Sequence, residues 1–358
     1  MSKVVQFKAP SQNQTDQERQ RALLECFARN RRFGDDVFWL KENAELLNIL
    51  ECTGAKVSRD TLAAHQGFYD GLEKQLLFFP QYYRFLLSIC LDLEDLGIGG
   101  KKGEKLVQWV LENGMIDGEL SDLQRAEAKR LMLRRGRDPM KGDDSLEDRI
   151  RTFTARTHTF ALPNKKAAYE LTHAVFYLSE YGRKIPDLDP AVEVSLDFTG
   201  TLAFLDQNAD LLAEVCVAMR YAGFAPPEIW EVWLARHSSM YDIQSGAAVS
   251  VLDDYHEFFV CNWFLATTGQ PMFRRNFNPE RMAFFAPKVP QAPLRGMSES
   301  MLHLDSARST DWQAMRGKIL DNLSEEAQGI LWQAESASMD FEAFFAGFSR
   351  ASHLAAAS

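Results

Sequence analysis

The stretch 164–184, NKKAAYELTHAVFYLSEYGRK, sets an acid, a histidine and two tyrosines at helical spacing. At about 100° per residue, Glu170, His173, Tyr177 and Tyr181 share one stripe beside the apolar face of Leu171, Ala174 and Leu178. A carboxylate and an imidazole three residues apart on one helix can hold a metal or exchange a proton, and the tyrosines can wall a small ligand. Two later stretches carry the same chemistry: Asp210-Leu-Leu-Ala-Glu214, and Asp253 with His256.

These residues need helices to bring them together. Caps read from the sequence open helices at Asn164, Asn208 and Ser250, with other helices starting at Asp189 and near Pro226–Pro227 between them. In a chain of helical hairpins alternate helices run parallel. Counting six residues in from the three caps reaches Glu170, Glu214 and His256, all at one depth of roughly 9 Å. Asp253 then stands one turn above His256, and His173 one turn below Glu170.

The candidate acid/base residues are therefore Glu170, His173, Glu214 and His256, and the candidate metal ligands are His173, Glu214, Asp253 and His256. Tyr177, Tyr181, Asp253 and Trp263 are the expected pocket residues. The cofactor expected at such a site is a divalent metal, whose identity the sequence does not give. A structural alternative stands beside this: Ser250 with Asp253 resembles a capping box, and an acid near a helix N-terminus is favoured by about 0.3–1 kcal/mol without any function.

Elsewhere the pattern is helix after helix. Thr15-Asp-Gln-Glu18 is a capping box, 35–52 is amphipathic and stops before Gly54, a helix over 58–78 is closed by Pro80, and 82–96 is stopped by Gly97. Helices over 103–113 and 121–134 lead into the polar stretch 135–144, the best candidate boundary. The expected organisation is a short N-terminal arm over 1–14, a helical region over 15–134 and a second over 145–358, the two regions together forming either separate units or one continuous domain. Strand signals are nearly absent, and 271–293, rich in Pro, Phe, Arg and Asn, is expected to be irregular but ordered. The fold class is all-α, of stacked antiparallel helical hairpins in an α/α-toroid-like or bundle arrangement.

Composition narrows the partners. The chain has 358 residues, a net charge of −10 and a pI near 5.3, which argues against a nucleic-acid surface, since affinity there comes from clustered Lys and Arg. No run approaches the roughly 18 apolar residues of a membrane span. Cys26, Cys52, Cys90, Cys216 and Cys261 are odd in number and set among apolar neighbours, as expected of reduced thiols in a cytoplasmic protein. Gly-rich phosphate loop, G-x-S-x-G, C-x-x-C and H-E-x-x-H motifs do not occur in the sequence, so nucleotide hydrolysis, serine hydrolysis and zincin chemistry are not expected.

Two stretches carry a resemblance. GDDVFWLKENAELLNILECTG (34–54) is similar to an uncharacterised family of alphaproteobacterial proteins. YELTHAVFYLSEYG (169–182), with its THAVFY-type core, resembles a signature of uncharacterised bacterial all-helical proteins, where an acidic helix like Asp210–Glu214 and a His-bearing helix like Tyr255-His256 follow it. The resemblance implies an α/α-toroid-like fold and lends no activity. Two functions remain open: a metal-dependent or acid/base enzyme or binder of an unknown small molecule, and a non-catalytic helical scaffold that docks a partner protein through 271–293.

Overall fold

Side-chain caps fix where most helices begin. The Thr15/Glu18 capping box is formed, and the side chains of Ser121, Asn164, Asn208 and Ser324 each accept the backbone N–H three residues on. The structure, a computed structural model, describes residues 14–32, 36–143 and 145–351. The expected N-terminal arm lies outside the described residues apart from Gln14.

In chain order the α-helices are α1 (Asp16–Glu25), α2 (Val37–Cys52), the short α3 (Arg59–Leu62), α4 (Gln66–Phe78), α5 (Tyr83–Leu96), α6 (Lys102–Glu112), α7 (Asp122–Leu133), α8 (Ser145–Thr154) and α9 (Thr157–Phe160). They continue as α10 (Lys165–Leu178), α11 (Ala191–Leu205), α12 (Ala209–Ala222), α13 (Glu228–Ser239), α14 (Tyr255–Thr267), α15 (Pro293–Leu304), α16 (Trp312–Leu320), α17 (Glu325–Ala337) and α18 (Phe341–Ser349). The expected helix over 58–78 is broken by a tight turn at Ala63–His65, where His65 turns inward and its Nε2 meets Asn43 Oδ1 at 2.7 Å.

Six of these helices close a ring. α2 packs on α5, α5 on α7, α7 on α10, α10 on α12, α12 on α14, and α14 back on α2. Cross-helix pairs give their direction, because partners ascend together. Tyr169 meets Asp210 and His173 meets Glu214 between α10 and α12; His256 meets Asp210 and Trp263 meets Tyr221 between α14 and α12; Arg84 meets Glu127, and Asp92 meets Arg134, where α5 and α7 adjoin. In each of these three pairs the helices therefore run parallel, and α1, α4, α6, α8, α11 and α13 alternate with the ring helices in sequence as a second layer. This is an α/α-toroid-like all-α fold. One buried apolar cluster runs from Ala22 to Phe348, across the loop at 135–143.

The far helices α15 to α18 pack on the second layer, with α17 lying against α11 and α13. Buried Asp197 of α11 anchors them by accepting the Ser338 hydroxyl at 2.7 Å and the Met339 N–H at 3.2 Å. The segment 271–293 is irregular as expected, except for one strand, β2 (Met282–Phe285), paired antiparallel with β1 (Asp242–Ser245) in the register Ile243↔Phe284. Its rings Phe273, Phe277 and Phe284 are buried, and Phe285 is half-buried.

Candidate metal centre and its pocket

The ribbon of β1 and β2 sets the entry to α14. Phe284 O accepts the Asp254 N–H at 2.8 Å, and the Phe284 N–H donates to Asp253 Oδ2 at 2.7 Å. The helix consequently opens at Tyr255 with Asp254 as its cap. Ser250 belongs to the preceding turn, where its hydroxyl accepts the Leu252 N–H. His256 is thus the second residue of α14, and it stands level with Asp210, the second residue of α12.

Around His256 the ring helices present three carboxylates. Nε2 lies 3.3 Å from Asp210 Oδ1, and Nδ1 lies 3.1 Å from Glu45 Oε2 of α2. Glu214, one turn deeper on α12, completes a set with Asp210 and His256 whose ligand atoms all fall within 4.8 Å of one another. Two of the contacts are close yet miss hydrogen-bond geometry, so Asp210 Oδ1, Glu45 Oε2 and His256 Nδ1 are buried without hydrogen-bond partners. Such groups are costly to leave unsatisfied.

The electrostatics follow from this crowding. Burial pulls the His256 pKa down, but Glu45, Asp210 and Glu214 outweigh it and raise the value to about 9. Burial and Asp210 raise the Glu214 carboxyl above the usual range, opposed by His173, the Thr172 hydroxyl at 2.5 Å and His256. Burial and Asp210 also hold the Tyr169 phenol protonated, and it donates to Asp210 Oδ2 at 2.6 Å.

His173 stands on the neighbouring helix with Nδ1 3.6 Å from Glu214 Oε2 and 2.8 Å from the Tyr169 carbonyl. A carbonyl only accepts, so Nδ1 carries a proton, and in the singly protonated tautomer the lone pair is on Nε2. His173, Glu214 and His256 line one cavity of about 100 Å³, walled by Phe176, Tyr181, Phe259, Val260 and Trp263. Tyr181 and Trp263 stack there with centroids 5.7 Å apart.

The expected tyrosine stripe needs correction at its end. α10 stops at Leu178, and Glu180, Tyr181 and Gly182 follow in left-handed conformation, with φ of 50°, 55° and 79°. Tyr181 reaches the cavity from this turn. A Cβ on Gly182 would come within 2.4 Å of the Tyr221 ring, so this position takes only glycine.

Residues 1–351 match a single family model, described as a domain of unknown function (DUF6902). The chain belongs to that family. No curated protein and no solved structure matches it.

Three expected site residues of this DUF6902 chain lie elsewhere. The stripe of α10 that faces the ring runs through Tyr169, His173 and Phe176, which turns Glu170 outward, 3.9 Å from Lys166 and in a surface cleft with Asp122 and Arg149. Tyr177 touches the His173 ring at 6.0 Å between centroids but lines a different cavity. Asp253, whose carboxylate is fully buried, binds both terminal nitrogens of Arg31 instead. In its place stand Asp210, Glu45 and Tyr169. Asp210 is legible in the sequence as a carboxylate four residues before Glu214; Glu45 carries no local signal, because only ring closure brings it to His256.

Proposed function

We propose that this protein binds a divalent metal through Asp210, Glu214 and His256 and uses it to bind or transform a small molecule in the adjoining aromatic cavity. The supporting observation is the His256 Nε2 to Asp210 Oδ1 separation of 3.3 Å between atoms that do not hydrogen-bond each other well. Two ligands of one tetrahedral ion, each bound at about 2.0–2.1 Å, stand about 3.3 Å apart. Glu45 fits the same reading: a ligating imidazole ordinarily gives its second nitrogen to a carboxylate, which fixes its tautomer and orientation.

Two carboxylates and one imidazole suit zinc, manganese or iron and leave coordination positions open to water or substrate. A metal held there would polarise that bound group. The chain's own contribution would be His173, whose Nε2 can take or return a proton beside the cavity, and the Phe176, Tyr181 and Trp263 wall, which excludes water around an apolar substrate part. A cavity of about 100 Å³ favours a molecule of a few heavy atoms. Among the described residues no helix is long and apolar enough to cross a membrane.

The test is elemental analysis of protein purified without chelators, followed by titration of stripped protein with zinc, manganese and ferrous iron. About one metal per chain in wild type, lost in Asp210→Asn and Glu214→Gln, supports the reading. Metal-free wild type that also fails to take up any of the three ions overturns it and leaves the cluster as an imidazolium held by carboxylates.

A further inference from the structure

Arg130 of α7 is the anomaly among the buried arginines. Arg31 is paired with Glu42 and Asp253, and Arg134 with Asp92 and Asp95. Arg130 is only 7% exposed, yet among the described residues its Nε and Nη2 are buried without a hydrogen-bond partner, and no carboxylate lies within ion-pair distance. Its guanidinium sits over the Tyr181 ring, 4.2 Å from the centroid. That contact offsets charge through the flat face of the group and leaves the N–H edges unsatisfied.

Arg130 also lines a cavity of about 40 Å³ where α7, α8 and the turn after α10 meet. Lys129 and Lys184 border it too, each with one carboxylate: Lys129 is 3.3 Å from Glu147, and Lys184 is 2.7 Å from Glu180. Among the residues that line it, three cations therefore stand against two carboxylates, and Arg130 is the cation without an ion pair. A planar guanidinium is the donor best matched to a carboxylate or phosphate, which accept two parallel N–H bonds.

We propose that Arg130 anchors a binding site for a single small oxyanion, a carboxylate or a phosphate group, in this crevice. The cavity admits one such group and excludes a nucleotide. This site is separate from the metal centre and does not depend on it.

The experiment uses full-length protein stripped of metal with a chelator and then dialysed, so that no anion can bind through a metal. Melting temperature and calorimetric binding are followed with sodium acetate and with inorganic phosphate, at ionic strength held constant with chloride. Saturable stabilisation by either anion is expected, and the tighter one identifies the class of ligand group. Arg130→Gln should abolish it, while Glu180→Gln, at a half-exposed position, should bind about threefold more tightly because Lys184 is released from its partner. No stabilisation of wild type, or equal stabilisation of wild type and Arg130→Gln, overturns the proposal. If Arg130→Gln does not fold, Glu180→Gln decides: unchanged affinity there counts against the site.

Discussion

His256 and Asp210 leave the second positions of two parallel helices, α14 and α12, and their side chains meet at 3.3 Å between Nε2 and Oδ1. Equal depth on parallel helices is what brings the pair together. Glu45 then closes on the other ring nitrogen at 3.1 Å.

His256→Ala and Asp210→Asn should each weaken metal binding by more than about 100-fold, since even the loss of an outer partner costs about 10–100-fold. Helical content and melting of the metal-free variants should stay near wild type. Glu45→Gln should fall in the 10–100-fold range itself. Calorimetric titration of stripped proteins measures all three, and an unchanged Glu45→Gln affinity would show that Glu45 does not orient the imidazole.

Asp253→Asn should behave in the opposite way. It breaks a fully buried pair with Arg31, so stability should drop by about 3–5 kcal/mol in urea unfolding, while folded variant keeps its metal stoichiometry. Loss of metal at unchanged stability would return Asp253 to the ligand set.

Metal uptake should be strongly pH-dependent. His256 carries a proton below about 9, and a metal must displace it, so affinity should rise about tenfold per pH unit from neutral toward pH 9 and level off above. Glu214, whose carboxyl pKa burial and Asp210 raise, acts in the same direction. A flat affinity between pH 6.5 and 8.5 would mean that His256 does not ligate.

His65 sets part of the acid stability. Burial lowers its pKa to about 3, below the ordinary 6.5. The unfolded chain therefore binds a proton that the folded chain refuses. The stability linked to His65 is complete above pH 6.5 and falls, by up to about 1.4 kcal/mol per unit, as pH drops toward 3. His65→Gln should remove that part of the slope between pH 6 and 4, measured as urea-unfolding stability against pH; identical slopes in the two proteins would contradict it.

Gly182→Ala should cost about 1–3 kcal/mol, from the left-handed backbone and the clash with the Tyr221 ring. Because Tyr181 is the neighbouring residue, ligand binding in the aromatic cavity should weaken as well. Differential scanning calorimetry and titration with a bound ligand read the two effects.

The helices were legible because their caps are local chemistry: Thr15, Asn164 and Asn208 each accept the N–H three residues on. His173, Glu214 and His256 were legible as a convergent group for the same reason, together with the parallel placement of alternate helices. Ser250 misled because a serine can cap a turn as readily as a helix, and the true start at Tyr255 is imposed by Phe284, about thirty residues further on. That shift moved Asp253 out of the site and brought Asp210 level with His256. Tyr181 came to the pocket for a reason other than helical spacing, through a left-handed turn held by stacking on Trp263.

Closure of the ring also has a temporal side. Arg31 and Asp253 are 222 residues apart in the chain, and they meet where α14 returns to α2. Contacts so distant in sequence must overcome a large loop-closure entropy and form late. During synthesis the N-terminal helices emerge with the flank of α2 that will receive α14 still uncovered, and Glu45 waits for a histidine two hundred residues away. Docking of α14 completes the circle and would assemble the proposed metal-binding constellation in one event, so a nascent or partly unfolded chain would hold no competent centre, and metal uptake would report on closure itself.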